Sequence, residues 1–391
     1  MQKSLDQKLA RILADPSCND FILADAKDAD MAFGLSAAGQ SPEHHSEEAR
    51  FRTLDEYRRL IRDIVRQGFV DITLMSASTS EVLTLQERLF DTSSVTPAIR
   101  ANDTTDIWLA SGTGRYSSQP SRPFRSASID HAMCGKVECT PEQRKLGADL
   151  GLYSITLNND VGLDHDTLGR YKQFREEAES KRFRHFLEVF PPNACNNHCP
   201  TDTARFVNDS IVRTLAGVTS GGRPLFLKIP YFGPAPMEAL ATYDSSLIVG
   251  VLGGSSGTTF DAFHMLWEAK KYGARVALYG RKINNSEHQL TFVAFLRAIA
   301  DDQIEPAEAV GAYHNELNKL GIRPYRELDE DLQLTATRQS YGHSSASRPA
   351  GATAPCPSST ASPAATEPDF TQMTPAEKVR WNLEKWRRIL D

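Results

Sequence analysis

Short apolar segments alternate with helical hydrophobic patterns between residues 21 and 283 of this chain. Strands that alternate with helices indicate a parallel sheet, and eight such units in about 250 residues are typical of a closed barrel. We therefore predict an α/β fold, a (β/α)8 TIM barrel, over residues 1–333. Its predicted strands are Phe21–Ala26, Val70–Ser76, Asp106–Ser111, Leu152–Leu157, His185–Phe190, Leu225–Tyr231, Leu247–Leu252 and Ala274–Tyr279.

The composition changes after the predicted barrel. Residues 334–372 are rich in serine, alanine, threonine and proline, which predicts a disordered linker. In residues 373–391, Thr374 suits an N-cap and Glu377 completes a capping box, so we predict a short C-terminal amphipathic helix. This helix has four alternative uses: packing on its own barrel, docking on a protein partner, binding a membrane surface, or belonging to a disordered tail.

Polar residues interrupt two of the predicted strands near their carboxyl ends, Lys228 in the sixth and Glu188 in the fifth. Burial lowers the pKa of a lysine and frees its amine to attack a carbonyl, so Lys228 is the candidate Schiff-base nucleophile. Glu188 is the candidate proton-transfer group one strand away, and Asp25 is a candidate acid at the end of the first strand. The plainer alternatives are an edge-strand lysine, an outward-facing glutamate and a loop or helix-capping aspartate.

Glycine-rich turns follow the seventh and eighth predicted strands. Gly253, Gly254 and Ser255 end the seventh strand, and Gly280 and Arg281 follow the eighth. Backbone amides in such turns can approach an anion, and TIM barrels commonly hold phosphate at these two loops. We therefore predict that these five residues bind a substrate phosphate. An ordinary connecting turn is the alternative for each of them taken alone.

The composition argues against a nucleic-acid-binding protein and against a membrane-spanning one. The chain has 391 residues, of which 40% are apolar, and a formal net charge of −6, which gives no sign of a nucleic-acid surface. No apolar run is long enough to span a membrane, and Met1–Leu13 lacks the apolar core of a secretory signal. We therefore expect a cytoplasmic protein with reduced cysteines.

Cysteines offer a different chemistry. Cys195, His198 and Cys199 follow the fifth predicted strand, and Cys134 and Cys139 lie in an earlier loop. Zinc accepts such ligands, but their spacing matches no common zinc motif. Ordinary loop cysteines are the interpretation we favour, and we expect no metal and no other cofactor.

Together these residues resemble the class I aldolases of the prokaryotic and archaeal fructose-bisphosphate, tagatose-bisphosphate and deoxyribose-phosphate superfamily. The resemblance lies in the segments Leu227-Lys228-Ile229, Leu187-Glu188-Val189 and Tyr279-Gly280-Arg281, with Asp25 as the acid on the first strand. It implies reversible, metal-independent aldol cleavage of a phosphorylated sugar through an imine on Lys228, with Glu188 moving the proton. We also expect a homo-oligomer.

The sequence departs from that family at two positions. Phe190 stands where the archaeal fructose-bisphosphate branch has an aromatic hydroxyl, and the fourth predicted strand has no lysine. Glu188 must then carry the proton transfer alone if the chain is an enzyme. The alternative function is a non-catalytic barrel that binds sugar phosphates or acts as a scaffold.

Overall fold

Eight parallel strands form a closed ring in the computed structural model, which describes residues 1–15, 17–39, 51–107, 115–194, 199–254 and 257–336. The predicted TIM barrel is confirmed. The strands are β1 (Ile22–Lys27), β2 (Ile72–Met75), β3 (Thr96–Arg100), β4 (Leu150–Thr156), β5 (Arg184–Phe190), β6 (Leu227–Lys228), β7 (Gly250–Leu252) and β8 (Val276–Tyr279).

Hydrogen bonds between β6 and β7 close the ring. The other neighbours follow chain order from β1 to β6, and β8 pairs with both β1 and β7. At the closure, the Ile229 amide donates to the Gly250 carbonyl at 3.0 Å, and the Leu252 amide donates to the Ile229 carbonyl at 3.0 Å. A closed ring leaves no exposed sheet edge, and the carboxyl ends of all eight strands share one mouth.

The prediction for the third strand was wrong. The strand is Thr96–Arg100, whereas Asp106 and Ile107 lie in a turn and residues 108–111 are outside the described part of the chain. Pro97 pairs with Thr73 inside the sheet although proline donates no backbone hydrogen bond. The proline and the arginine at its end make this segment a poor match to the usual strand pattern, so sequence reasoning passed over it.

Apolar side chains fill the lower part of the barrel lumen. Alternate residues of six strands, among them Ala24, Leu74 and Phe186, form one buried cluster there with Phe226 and Ile248, which lie just before β6 and β7. An N-terminal helix, Ser4–Ala14, adds Leu5 and Leu9 to the same cluster. This helix therefore covers the amino-terminal end of the barrel, and the charged residues Glu188 and Lys228 lie toward the opposite end.

Amphipathic helices cover the outside of the ring. Their inward faces pack on the other set of alternate strand residues, such as Leu23 and Tyr153. The longer helices are α1 (Ser4–Ala14), α2 (Leu54–Gln67), α3 (Val161–Lys181), α4 (Thr203–Ala216), α5 (Pro234–Tyr243), α6 (Thr259–Lys271), α7 (Gln289–Ala300) and α8 (Pro306–Lys319). Short helical turns at the mouth are Asp30–Phe33, Ala77–Ser80 with the π-helix Glu81–Gln86, Ile129–Cys134, Arg281–Asn284 and Leu328–Asp331.

The last described residues contact the barrel. The Thr335 amide donates to Asp261 Oδ1 at 2.7 Å, and the Ala336 amide donates to the same oxygen at 3.1 Å. Apart from residues 334–336, the predicted linker (334–372) and the predicted amphipathic helix (373–391) lie outside the described residues. Both remain predictions.

Candidate active site

Lys228 and Glu188 lie side by side in the lumen, near the mouth of the barrel. They are register partners on β6 and β5, and Lys228 Nζ lies 2.5 Å from Glu188 Oε1. Phe226 and Phe186, two positions earlier in the chain, fill the lumen below. Side chains two residues apart on a strand share a face, so Lys228 and Glu188 also lie on the lumen side. The structure thus brings these two predicted site residues together, in a position where Glu188 can take a proton from the Lys228 ammonium.

Arg100, at the end of β3, extends this pair into a charged network that sequence reasoning missed. Its Nε donates to Asp28 Oδ2 at 2.8 Å, and its Nη2 lies 3.8 Å from Glu188 Oε2. Ser154 on β4 connects the two sides, because it accepts a hydrogen bond from Arg100 Nη1 at 3.2 Å and donates one to Glu188 Oε2. Arg100 therefore supplies a positive charge beside Glu188, although β4 has no lysine.

Burial controls the electrostatics of this network. Arg100, Asp28 and Asp103 are each at most 7% exposed. Burial alone would lower the pKa of Arg100, but the neighbouring carboxylates, Asp28 foremost, raise it above its usual value. Burial also raises the pKa of Asp103 to about 6, with Arg100 at 3.9 Å opposing the shift. The lumen thus holds several acids around one guanidinium.

Asp25 does not belong to this group, so the expectation that it joins Lys228 and Glu188 was wrong. On β1 the even-numbered residues Ile22, Ala24 and Ala26 lie in the lumen cluster, whereas Asp25 faces the outer helices. Its Oδ2 lies 3.0 Å from Lys27 Nζ, and neither residue is exposed. The acid that the first strand presents to the lumen is Asp28, just after the end of β1.

The buried Asp25–Lys27 pair is enclosed by polar groups from the helices. Lys27 Nζ donates to Asn284 Oδ1 at 2.6 Å and to Gln289 Oε1 at 3.0 Å. Asn284 in turn donates to the Tyr57 hydroxyl at 3.1 Å. Burial raises the pKa of Asp25 and lowers the pKa of Lys27. This pair connects β1 to α2 and to the segment after β8 on the outer side of the ring.

The predicted phosphate loops lie next to each other because β7 pairs with β8. Gly254 has a φ of 65°, and a Cβ on Gly253 would lie 2.2 Å from Tyr279 Cδ1. A Cβ on Gly280 would lie 2.8 Å from the Ala26 carbonyl oxygen. These glycines are therefore required by conformation and packing, whether or not an anion binds. Ser255 lies outside the described residues.

Two basic residues follow β8. The Arg281 guanidinium carbon lies 5.1 Å from the centre of the Phe33 ring, and Arg281 is exposed. Lys282, which sequence reasoning missed, donates to the Gly257 carbonyl at 2.9 Å and so connects the loop after β8 to the loop after β7. Burial lowers the pKa of Lys282 to about 8. Both loops are thus positioned together near positive charge.

Carboxylates already occupy the N-terminus of α6, which follows the β7 loop. The Thr258 amide donates to Asp261 Oδ2 at 2.8 Å, and the Thr259 amide donates to Asp331 Oδ1 at 2.7 Å. These internal acids satisfy the helix end and complement its dipole. An anion at these loops would therefore rely on loop amides and the basic residues after β8 rather than on the end of α6.

The expectation of reduced thiols was wrong for Cys134, Cys139 and Cys199. Cys134 and Cys139 form a disulfide across a tight turn, with their Cα atoms 6.2 Å apart, because Gly135 ends the Ile129–Cys134 helix at a φ of 78° and reverses the chain. Cys199 is disulfide-bonded as well, whereas Cys195 and His198 lie outside the described residues. Within the described ranges, no group of three or more His, Cys, Asp or Glu residues is arranged to hold a metal ion.

None of the helices in the described ranges is both long and apolar enough to cross a membrane. Neither a scan against family models nor a search of curated proteins finds a match for this chain.

Solved structures do match the fold. An archaeal fructose 1,6-bisphosphate aldolase aligns at 15% identity and a TM-score of 0.53, over 76% of this chain and 100% of its own. A second archaeal structure, with its catalytic lysine covalently bound to a carbinolamine intermediate, aligns at 16% identity and a TM-score of 0.52, over 76% and 100%. The fructose-bisphosphate aldolase from Slackia heliotrinireducens aligns at 13% identity and a TM-score of 0.54, over 79% and 91%. At such identities the likeness shows the fold alone.

Proposed function

We propose that this protein is a metal-independent class I aldolase that cleaves a phosphorylated sugar reversibly through a Schiff base on Lys228. The observation that carries the proposal is the Lys228–Glu188 pair, 2.5 Å apart at the carboxyl ends of β6 and β5. TIM-barrel enzymes place their active sites at this end of the barrel. Nucleophilic lysines need a neighbouring group that accepts their proton, and Glu188 is such a group.

The first half of the reaction forms the imine. Glu188 accepts a proton from the Lys228 ammonium, and the free amine attacks the carbonyl carbon of the sugar. The carbinolamine hydroxyl receives a proton back from Glu188 and leaves as water, and the nitrogen lone pair forms the C=N bond. Asp28 is the lumen acid of the first strand, and we assign to it the orientation of a substrate hydroxyl in this step.

The second half breaks the carbon–carbon bond. Glu188, once more a carboxylate, removes the proton of the hydroxyl on the carbon that becomes the aldehyde. The C–C bond electrons move into the protonated imine and form an enamine, and the aldehyde leaves. Glu188 then returns its proton to the enamine carbon, and water releases the ketone from Lys228. Arg100 holds the charge of Glu188 and Asp28 in place throughout, since its guanidinium lies between them.

Phosphate binding at the β7 and β8 loops belongs to the same proposal. The backbone of Gly253, Gly254 and Gly280, with Arg281, would hold the phosphate on the β6 side of the mouth, close to Lys228 in the ring order. Lys282 keeps the two loops together through its bond to Gly257.

Borohydride trapping tests the proposal directly. The protein is incubated with dihydroxyacetone phosphate and reduced, and its peptides are analysed by mass spectrometry. We expect an adduct on Lys228 and none on Lys27, which is equally buried in an ion pair but lies outside the lumen. An unmodified Lys228 would favour the non-catalytic, sugar-phosphate-binding barrel instead. Trapping should be unaffected by a chelator.

A further inference from the structure

A cleft of about 380 Å³ opens at the barrel mouth beside β2. The end of β2 and the π-helix after it form one wall, and the segment between β3 and β4 forms the other. Its lining residues are Met31, Ser76, Ala77, Ser78, Glu81, Ser126, Ala127, His131 and Gly135. None of the residues assigned above to chemistry or to phosphate binding lines it.

The cleft and Lys228 lie at opposite positions in the ring of strands. Strand β2 lies four strands from β6 in the ring of eight, so the two are on opposite sides. Ser76 directly follows β2 and has the same strand parity as Leu74, which fills the lumen. A sugar with its carbonyl at Lys228 and its phosphate at the β7 and β8 loops would therefore extend its other end toward this cleft.

The side chains of the cleft suit a neutral, hydroxylated group. Three serines, Ser76, Ser78 and Ser126, offer hydroxyls, and Glu81 is an exposed carboxylate. Behind Ser76 lies a second acid, because the Ser76 hydroxyl donates to Asp30 Oδ2 at 2.6 Å. A carboxylate repels a phosphate, and among the described lining residues there is no lysine or arginine to offset that repulsion.

Both walls of the cleft are held by local structure. The Cys134–Cys139 disulfide closes the turn that contains Gly135, and a Cβ on Gly135 would lie 3.1 Å from Leu85 Cδ1 and 3.7 Å from Glu81 Oε1. On the same wall, His131 Nδ1 lies 2.9 Å from the Ser128 hydroxyl. The turn thus approaches Glu81 closely and keeps its carboxylate at the cleft.

We propose that this cleft binds the uncharged, hydroxyl-bearing end of the substrate, so that the substrate is a ketose monophosphate with its phosphate on the carbonyl side rather than a bisphosphate. This inference rests on the proposed aldolase function. The predicted substrate therefore differs from the fructose 1,6-bisphosphate for which the structural neighbours are named.

Substrate preference and one charge reversal test it. For the wild type, kcat/KM on fructose 1-phosphate should exceed that on fructose 1,6-bisphosphate by about tenfold or more. Glu81→Lys should shift this ratio toward the bisphosphate by about tenfold, mainly through KM, and Glu81→Gln should shift it less. Glu308→Lys makes the same charge change on the exposed surface of α8 and should leave the ratio unchanged.

The outcomes separate the two proposals. An adduct on Lys228 together with a preference for the bisphosphate, or a ratio that Glu81→Lys does not move, would overturn the cleft assignment and leave the aldolase intact. If no adduct forms, the aldolase proposal fails. Calorimetric titration of Lys228→Met with the same two sugar phosphates then decides the cleft: tighter binding of the monophosphate supports it, and equal or tighter binding of the bisphosphate overturns it.

Discussion

Two buried carboxylate–lysine pairs occupy neighbouring layers of this barrel, and they differ in what surrounds them. Lys228 and Glu188 lie inside the ring with their nitrogen and oxygen 2.5 Å apart, and Lys27 and Asp25 lie outside it, 3.0 Å apart. Both pairs are within strands and hidden from solvent almost completely. From the sequence alone, both consist of charged residues at the ends of apolar segments.

Their surroundings give them different capacities. The side-chain amides of Asn284 and Gln289 accept hydrogen bonds from Lys27, which has no exposed surface. The lumen pair instead borders Arg100 and the mouth of the barrel. A shifted pKa therefore does not mark a reactive group by itself, because burial alone shifts the pKa values of Asp25 and Lys27 in the outer pair. Position inside or outside the ring is what distinguishes the two pairs.

Replacing the lumen lysine should have the largest effect. Lys228→Met keeps the aliphatic stem and removes the amine, so kcat should fall by roughly 10⁴-fold or more. The fold should persist, because Arg100 remains 3.8 Å from Glu188 and balances its charge. Steady-state cleavage assays with circular dichroism as the folding control check both parts. Turnover like that of the wild type would exclude the Schiff base on this residue.

The matched change in the outer pair should lower stability and leave activity intact. Lys27→Met leaves Asp25 buried without its partner and should lower the free energy of unfolding by about 3–5 kcal/mol. Activity per folded molecule and trapping of Lys228 should be retained. The double variant Asp25→Asn with Lys27→Met should be less destabilised, as measured by denaturant unfolding. Loss of trapping in folded Lys27→Met would mean that the outer pair also controls the site.

Glu188→Gln separates imine formation from turnover within the lumen pair. The amide keeps the shape and hydrogen bonding of the carboxylate but cannot move a proton, so kcat should fall by about 10²-fold or more, while the imine still forms slowly because solvent can take the Lys228 proton instead. Single-turnover trapping and steady-state rates measure the two effects. If no imine forms even on long incubation, Glu188 also holds Lys228 in position for attack, besides taking its proton.

Asp103 allows a pH test of the lumen group that leaves the lysine pairs intact. Burial raises its pKa from the ordinary value of 3.8 to about 6, so the folded state holds the proton more tightly than the unfolded chain does. Stability should therefore fall as the pH rises from about 4 to about 6, by up to about 3 kcal/mol, and stay level above that range. Asp103→Asn should not show this decline when its free energy of unfolding is measured with denaturant at pH 4 and at pH 7. If the wild type and Asp103→Asn lose the same free energy of unfolding between these pH values, the prediction is wrong.

The smallest effect is expected at the phosphate loops. Arg281→Ala should raise KM for a phosphorylated substrate by about tenfold and leave kcat nearly unchanged, since one exposed charge contributes little. An unphosphorylated analogue serves as the control and should be unaffected. Equal losses on both substrates would argue against a phosphate at this turn.

Sequence patterns were sufficient for the barrel and for its central pair. Seven of the eight strands lie where the apolar segments predict them, because parallel strands buried on both faces read as continuous apolar runs. A lysine and a glutamate at matching ends of consecutive strands then indicate Lys228 and Glu188. Their adjacency follows from the parallel register of neighbouring strands.

The same physics explains what only the tertiary structure decided. Because both faces of a barrel strand are apolar, the alternation on β1 does not say whether Asp25 or its even-numbered neighbours face the lumen. Sequence reasoning missed Arg100 for two reasons. Pro97 weakens the apolar pattern of β3, and the contact between Arg100 and Glu188 joins strands that are far apart in the chain. Asp331 caps α6 from 72 residues away, which no local pattern encodes. Spacing along a strand determines which residues share a face, but closure of the ring determines which face is inside.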